Sequence, residues 1–195
     1  DLARRKIVGR VFVGLGAHHL GISPDGRRIW VALGETATTI VRLNASNPRK
    51  PRVVGRLHPR YVAHDLSFEP DGRMVWVSSA SSSVVALDSA DSGRIIEGAD
   101  GGRAPQHVAF SGGKALITSG YGSSLTAVCW LDPCRRRVVS VPYGSFNLAT
   151  YGGYVVTTSL FTGQVTELRV GDLHRLWTTK VAPAARYVAI SVWPR

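Results

Sequence analysis

The chain has little of several things. Among its 195 residues are two cysteines, one methionine and 13 acidic side chains. Two thiols make a poor structural zinc site, which normally needs four ligands. Cys129 and Cys134 lie five apart across Asp132-Pro133. A disulfide across a hairpin is sterically feasible there, and a pair of thiols is the alternative. No apolar run reaches the length of a membrane-spanning helix. No segment keeps a 3.6-residue apolar period over a helix length. A secretory leader and an initiating methionine are missing too. Asp1 falls inside what reads as a repeat, so the expectation is a processed product or part of a longer chain.

Acidic residues are scarce against 20 Arg and 4 Lys, and the formal net charge is +11. Such a balance suits an anionic partner. The arginines, however, are scattered over strand ends and turns. The tightest cluster, Arg135-Arg136-Arg137, has no interleaved aromatics on which bases would stack. Solvated surface charge is therefore expected, with no specific nucleic-acid partner.

What is present is a repeat. Ala17-His18-His19-Leu20-Gly21-Ile22-Ser23-Pro24-Asp25-Gly26 returns as Ala63-His64-Asp65-Leu66-Ser67-Phe68-Glu69-Pro70-Asp71-Gly72. Looser copies begin at Pro105, Ser145 and Ala185. The steps Leu20, Leu66, Val108, Leu148, Val188 are 46, 42, 40 and 40 residues. A period of about 40–45 residues with strand-like content implies a β-propeller.

Each copy reads as four strands. The first has a small-residue column, Gly21, Ser67, Ala109, Ala149 and Ala189, expected where crowded inner strands approach closely. Pro-Asp-Gly or Gly-Gly makes the next turn. Second strands are β-branched and aromatic, as in Ile29-Trp30-Val31 and Val75-Trp76-Val77. Trp30 and Trp76 share one position and read as core between blades. The fourth strand is short and polar, as an outer edge should be. The expectation is an all-β chain with blades near 17–57, 63–98, 105–141 and 145–181. An outer strand at 5–13 and an inner strand at 185–192 flank them. The whole is read as one propeller domain or a piece of a larger, seven-bladed ring, with a closed five-bladed ring as the alternative. An incomplete ring exposes apolar blade faces and is expected to self-associate.

The stretch from Gly14 to Ala32, with Ser23-Pro24-Asp25-Gly26 and Ile29-Trp30-Val31-Ala32 at its heart, resembles the YVTN-type propeller repeat of bacteria and archaea. Phe68-Glu69-Pro70-Asp71-Gly72-Arg73-Met74-Val75-Trp76-Val77 resembles it as well. The third and fourth copies lose Pro-Asp, and their match rests on spacing. The resemblance implies an exported or envelope-associated bacterial protein. NHL-repeat, WD40-like and YncE-type propellers, lactonases and streptogramin lyases look similar, so the resemblance does not choose a function.

One constellation carries chemistry. Two adjacent columns stand at the starts of the inner strands. The first is His18, His64, Gln106, Phe146, Arg186; the second is His19, Asp65, His107, Asn147, Tyr187. In a propeller such positions converge on one mouth of the central channel. His18, His19, His64, Asp65, His107 and Asn147 are thus candidate ligand-binding residues. His19, Asp65 and His107 are the candidates for a divalent metal ion. A structural duty at strand starts is the alternative. Tyr121 and Phe161, in equivalent turns, are candidate aromatic contacts. No Gly-x-Ser-x-Gly elbow or phosphate loop is present. The leading expectation is a non-enzymatic scaffold that binds a protein or small molecule. The alternative is a metal-assisted lactonase or streptogramin-lyase-like enzyme, with a histidine such as His64 as base. A quinoprotein-like redox site has no dedicated residue pattern.

Overall fold

The computed structural model describes residues 1–34, 38–79, 81–130 and 135–190. Cys134, and with it the Cys129–Cys134 pairing, lies outside the described residues, as do Ser191 and Val192 of the expected last strand.

Sixteen strands are found among the described residues, in four antiparallel sheets of four. The first sheet is β1 (Ala17–Ile22), β2 (Arg28–Leu33), β3 (Ile40–Asn44) and β4 (Arg52–Leu57). The second is β5 (Ala63–Phe68), β6 (Met74–Ser79), β7 (Val84–Ser89) and β8 (Ile95–Asp100). β9 (Val108–Ser111), β10 (Lys114–Ser119), β11 (Ser124–Cys129) and β12 (Arg137–Ser140) form the third. β13 (Ser145–Tyr151), β14 (Tyr154–Ser159), β15 (Gln164–Arg169) and β16 (Arg175–Lys180) form the fourth. Each sheet is an up-and-down meander in chain order, which is the blade of a β-propeller. The only helical element described is a 3-10 turn, Gly120–Gly122.

The turns form as their residues dictate. In the first blade Gly26 takes φ +70° and its amide donates to the Ser23 carbonyl, 2.8 Å away. The Ser23 hydroxyl donates to Asp25 Oδ1 (2.6 Å), and the Arg27 amide donates to the same oxygen (3.0 Å). These bonds, the serine's first, hold the Asp25 carboxyl below the usual carboxylate range.

The chain divides into two compact units. The first comprises Asp1–Ala80 with Ala86–Glu97; the second comprises Ser81–Val85 with Gly98–Arg195. In the first, Trp30 (1% exposed) packs edge-on to Phe68 at 6.1 Å between centroids, with Ile40, Leu66, Val75 and Val77 around them. Trp30 is therefore core between two blades, as its repeat position suggests. In the second unit the core is built on Leu116, Leu125, Val155 and Leu168.

Two expected strands form no ladder among the described residues. Residues 5–13 have no ladder; Val11 and Val13 instead pack on Val31, Leu33, Val41 and Leu43. An outer strand takes its hydrogen bonds from the third strand of its own blade. Among the described residues of this unit, none stands beside 5–13 in that role. Residues 185–190 likewise carry no ladder, since an inner strand pairs with a second strand of its own blade. The segment is nonetheless seated. Thr158 Oγ1 donates to the Arg186 carbonyl (3.1 Å), and the Ala185 amide donates to the Ser159 carbonyl (3.1 Å).

Candidate functional site

A regular strand points adjacent side chains to opposite faces, so His18 and His19 should diverge. They do not, because β1 is bulged there. Ala17 pairs with Leu33 and His19 with Ala32, which leaves His18 as the extra residue. β5 slips at the same place, between Ala63 (opposite Ser79) and Leu66 (opposite Val77). β13 slips between Ser145 and Asn147. A bulge re-aims the side chains it carries. Here it recurs at the start of three inner strands.

In the first unit the result is a histidine cluster. The rings of His18 and His19 are 4.3 Å apart between centroids and nearly perpendicular. His64 lies 4.5 Å from His19 and 5.8 Å from His18. One ligating nitrogen from each falls within 4.8 Å of the others. His18 is exposed, and His19 and His64 are half-buried. Asp65 is buried beside them, its Oδ1 3.8 Å from His19 Nδ1. The Ser67 hydroxyl donates to Asp65 Oδ2 (3.3 Å), and the Asp65 amide donates to Ser78 Oγ (2.9 Å).

β1 and β5 hold this cluster together by direct backbone approach. A Cβ placed on Gly21 would lie 2.1 Å from the Leu66 carbonyl oxygen. The small-residue column therefore does what its position requires.

His107 and Asn147 belong to the second unit. The His107 amide donates to Thr118 Oγ1 (3.2 Å), and its carbonyl accepts from the Thr118 amide (3.0 Å). Asn147 is buried, and its carbonyl accepts from Thr157 Oγ1 (2.8 Å). Of the six candidates, the structure thus gathers His18, His19, His64 and Asp65 in one unit and places His107 and Asn147 at inner-strand starts of the other.

Tyr121 and Phe161 are about half exposed (45% and 49%) and meet on one buried ring. Tyr121 stands edge-on to Phe146 at 5.0 Å, and Phe161 does so at 5.6 Å. Phe161 also stacks on Tyr143 at 5.1 Å. Tyr143, absent from the sequence-level candidates, is the third member of this aromatic face. Its only sequence signal is its place just before an inner strand.

The basic cluster is partly spent on the protein itself. Arg136 pairs with Asp100 (3.0 Å), and Arg137 donates to the Asp172 carbonyl (3.2 Å). Arg135 and Arg137 line a cavity of about 210 Å³ with Lys114. In the first unit a groove of about 510 Å³ runs past Arg28, Trp30, Arg42 and Asp91. Arg28, on its wall, pairs with Asp91 (2.7 Å) and donates to the Gly72 carbonyl (2.8 Å).

No protein-family model and no curated protein matches the chain. Solved structures do. Hydrazine synthase of Kuenenia stuttgartiensis superposes with a TM-score of 0.73 at 18% identity, over 88% of this chain and 51% of that one. A functionally unknown protein from Desulfotomaculum acetoxidans gives 0.78 at 13% identity, over 94% and 62%. A nidogen/laminin complex gives 0.68 at 16% identity, over 86% and 65%. At such identities the likeness is one of fold alone. The chain spans between 51% and 65% of the length of these structures. Among the described residues no helix is long and apolar enough to cross a membrane.

Proposed function

We propose that the chain is a non-enzymatic binding propeller, exported or envelope-associated, that takes a polar ligand or a protein partner at the bulged inner-strand starts. The observation that carries this reading is the gathering of His18, His19, His64 and Asp65 by bulges in two neighbouring strands. The bulge recurs while the side chains on it change. That is how a scaffold varies a binding face without altering its frame. Protein binding gains support from the likeness to a structure that is itself a protein complex. Export rests on the resemblance of the repeat to the YVTN type.

The second reading is a metal-assisted lactonase or lyase, in which an ion polarises a carbonyl and a histidine moves the proton. It is favoured by the same imidazoles lying within reach of one another.

Two assays on the full chain separate the readings. The first is thermal unfolding against a panel of organic acids, sugars and amino acids. The second is opening of γ- and δ-lactones with zinc present. The scaffold reading expects a panel member to raise the melting temperature, an effect lost in Asp65→Asn, with lactones opening at the buffer rate. Lactone opening that disappears in His64→Ala establishes the enzyme instead. If neither assay responds, a small-molecule site on this face is lost.

A further inference from the structure

Resting on the reading of that face as a binding site, we infer that His18, His19 and His64 are the three protein ligands of a single divalent transition-metal ion of the zinc class. The fourth coordination position is open to an exogenous ligand. This set differs from the one the columns suggest. Two of its members, His18 and His64, come from the first column, and Asp65 stands beside His19.

The geometry supports three imidazoles. Nitrogens around a tetrahedral ion at about 2.0–2.1 Å lie about 3.4 Å apart. Here one nitrogen from each ring already lies within 4.8 Å of the other two, so modest side-chain rotations close the site. Sequence-adjacent histidines serve one ion only if the strand is bulged between them, and β1 is bulged there. The frame is stiff, because the strands that carry the ligands touch backbone to backbone at Gly21 and Leu66.

The chemistry selects the ion. Imidazole suits zinc, copper, nickel and iron, whereas calcium and magnesium want a cage of oxygens. The one carboxylate in the cluster, Asp65, faces Nδ1 of His19. It therefore orients His19 to bind through Nε2, as an outer carboxylate commonly does for a ligating histidine. Exposure of His18 places the open position toward solvent.

The test is calorimetric titration of zinc chloride into the untagged, chelator-stripped full chain, with calcium and magnesium chloride as controls. One equivalent of zinc should bind, and the two hard cations should give no saturable heat. His64→Ala should weaken zinc binding at least about 100-fold, and Asp65→Asn about tenfold. His58→Ala, remote in the sequence pattern, should leave it unchanged. His18 is exposed, so His18→Ala serves as the ligand deletion that spares the fold, checked by its urea midpoint. Cobalt bound to the parent chain should show tetrahedral visible absorption that His18→Ala abolishes. The proposal is overturned if zinc does not saturate, if full affinity survives His18→Ala, or if calcium binds as tightly. Zinc uptake without any response to the organic panel keeps the ion and removes the organic-ligand reading. Panel binding by a chain that takes up no zinc does the reverse.

Discussion

Gly55 on β4 faces Arg42 on β3, and a Cβ on Gly55 would lie 2.9 Å from Arg42 Nη2. The missing side chain makes room for the guanidinium, which lies 6.0 Å from the Trp30 ring centroid and donates to the Asp91 carbonyl of the next blade (2.7 Å). In the third blade the same facing pair is inverted. Ala127 on β11 faces Arg137 on β12, and Arg137 donates to the Asp172 carbonyl of the fourth blade. In the fourth blade Glu167 faces Trp177 and accepts its indole N–H. The column thus holds one long side chain per arginine-bearing blade, on either strand. Gly55→Ala should displace the guanidinium and cost about 1 kcal/mol, the net worth of one exposed hydrogen bond. The exchange Arg42→Ala/Gly55→Arg should recover most of that loss. Urea unfolding of the parent, single and double variants measures both, and a double variant no better than Gly55→Ala would show that the column is not interchangeable.

Thr118 and Thr158 perform one task in successive blades. Each hydroxyl donates to a backbone carbonyl at the start of the following inner segment, Phe146 for the first and Arg186 for the second. The next residues, Ser119 and Ser159, reach the other way, donating to the Arg103 and Tyr143 carbonyls ahead of their own blades' inner strands. Thr118→Val keeps the shape and leaves the buried Phe146 carbonyl without this donor, so about 1–3 kcal/mol of stability should be lost. Thr158→Val should leave the urea midpoint nearly unchanged, because its acceptor lies on the partly exposed segment after β16. Faster hydrogen exchange at the Ala185 amide should report its effect. Equal loss of stability in both variants would contradict this division.

Glu69 is buried, and its Oε1 accepts the Trp76 indole N–H at 2.7 Å. Burial, foremost, and the nearby Asp71 charge push its carboxyl above the ordinary value of 4.5, while the indole bond works the other way. The folded state therefore binds this proton more tightly than the unfolded chain. Glu69's favourable share is present below the ordinary carboxylate value and is lost as pH rises through the raised folded value. Glu69→Gln keeps an oxygen for Trp76 and removes the titration. Its stability relative to the parent should rise as pH climbs from the ordinary carboxylate value through the raised folded value, and level off above that. Urea midpoints at several pH values test this, and a constant difference across that range would contradict it.

The blades were legible because a propeller writes its strands locally. Val75-Trp76-Val77 and Val155-Val156-Thr157 are β-branched or aromatic, end in turn residues, and recur at a fixed spacing. Ile7-Val8 has the same local look, yet 5–13 is not a strand, since pairing depends on a neighbour and not on composition. Leu20 and Ile22 are apolar at repeat positions where Leu66 and Phe68 are buried, yet they are more than half exposed (57% and 54%). The histidine cluster was legible in membership but not in grouping. Two columns were visible; that a bulge turns His18 toward His19 and His64 is a matter of register, which sequence does not print. The Thr118 and Thr158 hydroxyls were equally in view as strand residues, with nothing to reveal that they reach the inner segment that follows their blade.

Gly21 joins the fold to the proposed site. An alanine Cβ there would stand 2.1 Å from the Leu66 carbonyl oxygen and 2.9 Å from its carbon, and both are backbone atoms that cannot swing aside. Relief requires β1 to move away from β5. Gly21→Ala should therefore cost about 3 kcal/mol, at the upper end of overpacking effects. It should also separate His18 and His19 from His64, so zinc affinity should fall even where the variant remains folded. Gly171→Ala is the matched control, since a Cβ there meets nothing within 4 Å. The measurements are a urea midpoint and a zinc titration on each variant. Gly21→Ala that loses stability but holds zinc as the parent does would mean that the three imidazoles do not depend on the approach of the two strands. Because His18 and His19 stand on β1 and His64 on β5, that outcome would overturn the three-histidine ligand set.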